Sequence, residues 1–300
     1  MRATSTSRSS LPYRQTCPRG LVLKQNKVVC LNVGGLVGRR RRKTLFYWLK
    51  HTLKPDILLA QETHSTSDIQ TQQWAQEWVG LNRASRGKAT ERAAWFSHSA
   101  SPHTGGTAIF VSKGFHQSHI ISHIHTTTAH NGFYLSITAT HRTTQRTITY
   151  ASCYLPAKAA ARLPAIADIP PLQPQEERIM GGDYNCFHHR SDSSKPTYFP
   201  RGGTELESYC AENDLGDVWS LVREPSNTHF TRTHPKTGTA TRIDRIYASP
   251  TIHPHISSLS LHHTPAISDH RALFLLLSCV YKYTPYISLH TNIQLYLQDT

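Results

Sequence analysis

The sequence has no long hydrophobic run. Its longest near-continuous one, Ala272–Val280 (ALFLLLSCV), falls far short of the roughly 18–20 apolar residues of a membrane-spanning helix and reads as a buried strand. Closely spaced cysteines are missing too. Cys17, Cys30, Cys153, Cys186, Cys210 and Cys279 are scattered without a Cys-x-x-Cys, so neither a zinc site nor a disulfide framework is signalled and a reducing compartment is the default. Acidic residues are scarce, 19 against 33 Lys and Arg, which leaves a formal charge of +14. Such a surface attracts polyanions through counterion release and favours nucleic acid as the partner, although a basic source composition would give the same excess. No membrane partner is signalled, and no protein partner either. Met1–Gly20 has no apolar h-region, so it is not a secretory signal; its Arg and Ser without any acid read as a disordered tail, with a transit segment as the alternative. A nuclear or intracellular location is expected, not a secreted one.

What is present is a series of short apolar blocks between Thr- and His-rich stretches. Lys27–Asn32 (KVVCLN) is strand-like and stops at Gly34 and Gly35. The basic run Arg39–Lys43 leads into Leu45, Leu49 and Leu53, whose four-residue spacing marks a helix face ended by Lys54-Pro55-Asp56. Ile57–Ala60 follows, so the opening reads β-α-β. Further strands are expected at Thr107–Ser112, Phe133–Ala139, Thr147–Cys153, Asp217–Trp219, Thr228–Thr231, Arg242–Ala248 and Ala272–Leu277. A short helix, interrupted by prolines, is expected between Pro156 and Gly181. Thr204 with Glu207 forms a capping-box pattern for another helix running to about Asn213. The expected organisation is a basic tail over 1–25, one domain over 26–277 and a C-terminal tail over 278–300.

Polar clusters gather at the ends of these strands: Asn32, Gln61-Glu62, Tyr154, Asp183-Tyr184-Asn185 and Ser268-Asp269-His270. In βαβ architectures the carboxyl ends of strands open onto the binding crevice. Asp244, inside RIDRIY, is an acid in an apolar strand, which is costly unless paired or metal-bound. Its bland reading is a salt bridge with Arg242 or Arg245. Glu62, Asp183, Asn185 and Asp269 offer hard oxygens suited to magnesium, yet Asp183 and Asn185 also fit an Asx-turn and Asn32 a helix cap. Single residues leave these alternatives open; the ensemble is the signal.

Seven strings occur in order: LNVGGL (31–36), PDILLAQETH (55–64), YLP (154–156), GGDYN (181–185), HFT (229–231), TRIDRIY (241–247) and SDH (268–270). Together they resemble the endonuclease/exonuclease/phosphatase superfamily over roughly residues 26–277, and within it the apurinic-type endonuclease domain of LINE-type (non-LTR) retrotransposons. The resemblance implies a four-layer α/β sandwich, two mixed β-sheets packed face to face and flanked by helices. It implies a metal-dependent phosphodiesterase that nicks DNA, using Mg²⁺ with Mn²⁺ as a substitute. Glu62 then matches the principal metal ligand, with Asn32 and Asp269 beside it. Tyr154 matches a phosphate contact, Asp183 the acid that holds or deprotonates the attacking water, and Asn185 its neighbour. Asp244 and His270 match a carboxylate–histidine pair aimed at the phosphate, and Thr231, Arg242 and Ser268 are expected at the substrate. Three alternatives accompany this reading: an apurinic-site repair endonuclease, an inactive DNA-binding transposon remnant, and a phosphatase or lipid phosphodiesterase on the same scaffold.

Two positions depart from the family pattern. Gly34 stands where many members carry Asp or Asn, so one metal-side ligand is absent, and Arg232 follows Thr231 where an aromatic residue is common. His116, His119, His123, His125 and His130 invite a metal reading, but HIISHIHTTT is β-branched rather than helical. Arg39–Lys43 fits a nuclear-localisation signal, a phosphate-contact patch or a solvated face. Cys186 reads as a buried strand-end thiol.

Overall fold

The computed structural model describes residues 24–279, apart from 81–92, 128, 196–200, 223–228 and 266–267. The two expected tails therefore lie almost wholly outside the described residues. Residues 24–25 and 278–279 belong to the first and last strands.

The chain begins with β1 (Lys24–Asn32), helix α1 (Arg39–Trp48) and β2 (Ile57–Gln61), and β1 pairs with β2 in parallel. Helix α2 (Asp68–Val79), β3 (Ala94–Ser97) and β4 (Thr107–Val111) follow. Then come β5 (His119–Thr127), β6 (Tyr134–His141), β7 (Thr147–Tyr154), a helix over Ala159–Ala167 and β8 (Arg178–Asp183). After the helix Gly203–Glu212 lie β9 (Gly216–Asp217), a helix over Val218–Val222, β10 (Arg232–Thr233), β11 (Ala240–Thr241), β12 (Asp244–Ala248), β13 (Ile256–His262) and β14 (Ala272–Cys279). One six-stranded sheet runs β13-β14-β1-β2-β4-β3 and the other β5-β6-β7-β8-β12-β9. Both mix parallel and antiparallel pairs, and helices flank them, as expected for the four-layer sandwich.

β2, β4, β8 and β12 are buried at every position, which fits strands covered on both faces. On the outer face of the first sheet, Phe46 of α1 and Trp78 of α2 meet Phe110 of β4 at ring-centroid distances of 5.4 and 5.2 Å. Between the sheets the backbones approach closely. A side chain at Gly181 would lie 2.9 Å from Leu59 Cδ1 and 3.0 Å from Cys30 Cβ of the other sheet, and within its own sheet one at Gly182 would lie 2.2 Å from the Cys153 carbonyl oxygen. The glycines of GGDYN are therefore inside β8 and serve close packing, not a turn. Buried Gln61 ties the layers together, its amide donating to Ser152 Oγ at 2.9 Å while Ser152 Oγ donates to the Ala60 carbonyl.

Several expectations need correction. The helix expected to be capped by Thr204 in a box with Glu207 starts two residues earlier, with Gly202 at the cap in a left-handed conformation (φ 107°) and no side-chain cap bond. Gly203 is pressed against the Phe187 carbonyl, where a Cβ would lie 2.3 Å away, and this approach fixes the start and leaves Thr204 inside the helix. Of the segment expected as Asp217–Trp219 only Asp217 is extended, with Gly216 before it, because Val218 begins a helical turn. Of the strand expected at Thr228–Thr231, residue 228 lies outside the described residues and pairing starts at Arg232. Arg242 precedes β12 rather than opening it. The run Arg39–Lys43 is the first turn of α1, where Arg42 is buried and bonds both Glu77 oxygens at 2.8 and 3.0 Å while Arg39, Arg40, Arg41 and Lys43 are exposed. The histidine-rich segment is the edge strand β5; His119 stacks on Phe115 at 3.8 Å, and among the described residues no metal-sized cluster forms there.

Candidate active site

The two parallel pairs, β1/β2 and β7/β8, end at the same edge of the sandwich and deliver their last residues together. Asn32 stands opposite Gln61, Tyr154 opposite Asp183, and Asp183 opposite Asp244 on antiparallel β12. His270 enters from the turn before β14 through a bridge between Arg232 and His270. Strand register alone thus converges Tyr154, Asp183 and Asp244, and Asn32 joins them from the other sheet.

Asp183 is held at both oxygens. Asn185 N donates to Oδ1 at 3.0 Å, an Asx-turn, and Asn32 Nδ2 donates to Oδ2 at 2.8 Å. Asn32 Oδ1 accepts from Gly34 N at 2.9 Å, so this side chain, expected at the metal, bonds the turn on one side and Asp183 on the other. Burial and the neighbouring Asp244 carboxylate push Asp183 up to about 7. His270 Nδ1 faces both Asp244 oxygens, at 3.0 and 2.9 Å, while its Nε2 lies 3.9 Å from Asp183 Oδ2 and 3.8 Å from Asp269 Oδ1. Burial opposes the imidazolium, but Asp244 outweighs it and His270 is raised to about 9. The bland reading of Asp244 fails: Arg242 and Arg245 bind Asp192 and Asp217 in a buried four-residue lattice at 2.6–2.8 Å. Arg242, expected at the substrate, is committed there.

Thr231 and Ser268, also expected at the substrate, are brackets. Thr231 Oγ1 accepts from the backbone N–H groups of Ile243 and Asp244 at 3.2 and 3.1 Å. Ser268 Oγ donates to the Asn32 carbonyl at 2.8 Å and accepts from His270 N at 3.1 Å. Asn185 donates Nδ2 to the Leu155 carbonyl at 2.8 Å and adopts a left-handed backbone (φ 49°). Glu62 and His64 are left-handed as well (φ 52° and 59°), and such conformations in non-glycine residues concentrate at functional sites. Cys186 is buried and its thiol is pushed up to about 12 by burial, as suits an inert strand-end residue.

A family model described as the Endonuclease/Exonuclease/phosphatase family matches residues 29–270. The chain belongs to this family. Its members hydrolyse phosphoester bonds. Among solved structures, the endonuclease domain of TRAS1, a telomere-specific non-LTR retrotransposon, is similar at 16% identity and a TM-score of 0.56, covering 85% of this chain and 98% of that one. A 3'-5' exonuclease from Neisseria meningitidis matches at 17% identity and a TM-score of 0.60, over 83% and 98%. The AP endonuclease LMAP from Leishmania major matches at 13% identity and a TM-score of 0.63, over 85% and 88%. At these identities the likeness concerns the fold. No curated protein matches the chain.

The donor set of this family member fits a hard divalent cation at Glu62. Burial works to raise Glu62, but bonds from His64 and Tyr154 prevail and hold its carboxyl below the usual range, so it is ionised. Its side chain is 25% exposed, and its His64 contact is long, 3.4 Å. Asp183, Asp244 and His270 also bring ligating atoms within 4.8 Å of one another, but they fit a proton-holding cluster better. A metal needs an imidazole lone pair, and here both ring nitrogens of His270 face carboxylates. Asp269, expected near the metal, accepts at Oδ2 from Arg232 Nε at 2.8 Å. Burial and the Glu62 and Asp183 charges raise the Tyr154 hydroxyl well above its usual range, so it is a hydrogen-bond donor and not a base. Sequence reasoning gave no role to Gln61 or His64, although both belong to the quoted QETH string. Side-chain types show neither the inter-sheet tether nor the left-handed backbone.

Proposed function

We propose that this chain is a Mg²⁺-dependent DNA endonuclease of the retrotransposon target-nicking type. The observation that carries the reading is the pairing of a buried Asp183, oriented by Asn32 and Asn185, with a His270 held by Asp244. A group poised near neutral pH is suited to accept a proton from water, and Asp183 is raised to about 7. The protonated His270 donates from Nε2 to a non-bridging phosphate oxygen, and the Tyr154 hydroxyl, which bonds Glu62 in the free protein, turns its single proton to the same group. Water oxygen bonds to phosphorus, its proton passes to Asp183, and the ester P–O bond opposite breaks. The leaving oxygen takes a proton from solvent. A divalent cation bound at Glu62 supplies charge neutralisation on the phosphate and on the leaving oxygen. DNA as the substrate is supported by the net charge of +14 and by neighbours that are, by description, a retrotransposon endonuclease domain and an AP endonuclease.

Nicking of supercoiled plasmid, intact or carrying abasic sites, tests the reading with Mg²⁺, Mn²⁺ or EDTA. Asp183→Asn and His270→Ala are each expected to lose roughly a hundred- to ten-thousandfold in rate, the usual worth of acid–base groups. Near-full turnover by Asp183→Asn would remove Asp183 as the base. Cleavage restricted to abasic DNA would favour a repair enzyme, hydrolysis of phosphomonoesters or phosphoinositides alone a phosphatase, and equal inactivity of wild type and variants a DNA-binding remnant.

A further inference from the structure

Beside the catalytic cluster stands an arginine for which the family pattern provides no role. Arg232 Nε donates to Asp269 Oδ2 at 2.8 Å, and Asp269 Oδ1 lies 3.8 Å from His270 Nε2, the nitrogen that faces Asp183. One carboxylate thus separates the guanidinium from the phosphate-facing edge of the histidine. The backbone fixes this spacing: Arg232 bridges His270, Thr233 N donates to the Asp269 carbonyl, and Arg271 N donates to the Thr231 carbonyl. Among the described residues the two terminal nitrogens of Arg232 make no other hydrogen bond, and the side chain is 31% exposed. A guanidinium anchored through Nε keeps its terminal N–H fork for an anion, the geometry that suits a phosphate.

We infer that Arg232 is a phosphate-contacting residue of this site and that Asp269 positions it instead of serving as a metal ligand. Position 34 bears on the second half of this statement. Gly34 offers no carboxylate, and the space where its side chain would begin lies 2.7 Å from Arg41 Nη2. With Gly34 silent and Asp269 engaged by Arg232, Glu62 is, among the described residues of the site, the carboxylate with neither an arginine nor the histidine dyad upon it. Positive charge that a second cation would bring is then supplied by a side chain. The inference rests on the phosphoester reading of the site but not on DNA being the substrate.

The test uses the whole chain, with Mn²⁺ titrated by electron paramagnetic resonance and inorganic phosphate followed by ³¹P NMR without metal. Glu62→Gln is expected to abolish Mn²⁺ binding, while Asp269→Asn and Arg232→Ala leave it close to wild type. Arg232→Ala is expected to weaken phosphate binding about tenfold, as removal of a charge-assisted bond does, with Arg232→Lys restoring part of it. The double variant Arg232→Ala/Asp269→Asn should bind phosphate no more weakly than Arg232→Ala alone. Loss of Mn²⁺ binding in Asp269→Asn comparable to Glu62→Gln would overturn the positioning role. Unchanged phosphate affinity in Arg232→Ala would reduce the pair to a surface salt bridge. If wild type nicks no DNA, the proposed function fails while both titrations still decide the role of Arg232. On a cleaved substrate, the Arg232→Ala defect should appear mainly in KM.

Discussion

Thr231 shows how much of this site depends on side chains that touch no substrate. Its buried hydroxyl accepts from two successive backbone N–H groups, those of Ile243 and Asp244, at the point where the chain enters β12. Thr231→Val keeps the volume and removes the acceptor, leaving two buried donors unpaired at about 1–3 kcal/mol each. Thermal or urea unfolding should register that loss, and Thr231→Ser should recover most of it. Activity is expected to fall with Thr231→Val as well, because Asp244 sets the proton position on His270. A variant that loses neither stability nor rate would show that strand pairing alone holds Asp244 in place. The same residue marks the limit of reading roles from sequence. Thr231, Ser268 and Arg242 lie in motifs beside the site and were expected at the substrate, yet their partners are backbone groups or buried acids, and these partners are set by three-dimensional approach.

Among the elements, β12 and the residues that meet its start carry an ion lattice that responds to acid. Arg245 contacts Asp192 and Asp217 at 2.6 Å each, and Arg242 reaches the same two acids at 2.7 and 2.8 Å. Burial works to raise both carboxyls, but the arginines prevail and hold Asp192 and Asp217 below their ordinary value of 3.8. A carboxyl depressed by folding stabilises the fold above its unfolded pKa, and that contribution fades as pH falls through the folded value. The lattice's own contribution to stability is therefore expected to be level near neutrality and to decline below about pH 4, where the unfolded chain starts to bind protons that the lattice refuses. Asp217→Asn removes one partner from each arginine and leaves buried charge uncompensated, at a cost of about 3–5 kcal/mol. Its denaturant midpoint should drop at pH 7 and vary less with acidification than that of wild type; a parallel pH curve would place the acid response elsewhere. Sequence patterning reached β2 and β14, which are continuous apolar runs, but not β8, whose RIMGGD is broken by glycines and bounded by charges and whose first residues fall in the stretch between Pro156 and Gly181 expected to hold a helix. It did not reach β3 or β13, which lack such runs. It misplaced the start of the helix Gly203–Glu212, because the close approach of Gly203 to Phe187 is a tertiary constraint. Of the candidate site, the convergence of Asp183, Asp244 and His270 was legible from motif order; the diversion of Asn32 to Asp183 and of Asp269 to Arg232 was not, since both depend on hydrogen bonds between distant segments.

At the scale of the whole molecule, the charge of +14 acts where it is concentrated, and one concentration lies beside the site. Helix α1 starts only a few residues after Asn32, and its first turn exposes Arg39, Arg40, Arg41 and Lys43 while Arg42 is consumed by Glu77. Arg41 reaches back to the Val33 carbonyl at 3.3 Å, which ties this turn to the end of β1. The solvated-face and phosphate-patch readings of the run therefore make different predictions. A triple variant at Arg39, Arg40 and Lys43, each to Gln, leaves the buried Arg42–Glu77 pair and the Arg41 bond in place, so the melting temperature should change little. If these side chains lie along a DNA backbone, each phosphate left without its cation lowers the slope of log affinity against log salt by about 0.9, up to roughly 2.7 for three. The weakening should be uniform across sequences, because backbone contacts carry no base information, and it should be largest at low salt. Catalysis on saturating DNA should be retained, since none of the three belongs to the Asp183–His270 cluster. An unchanged salt slope would assign the run to solvent, and the site would then draw its substrate with the charges of its own rim, Arg232 foremost among them.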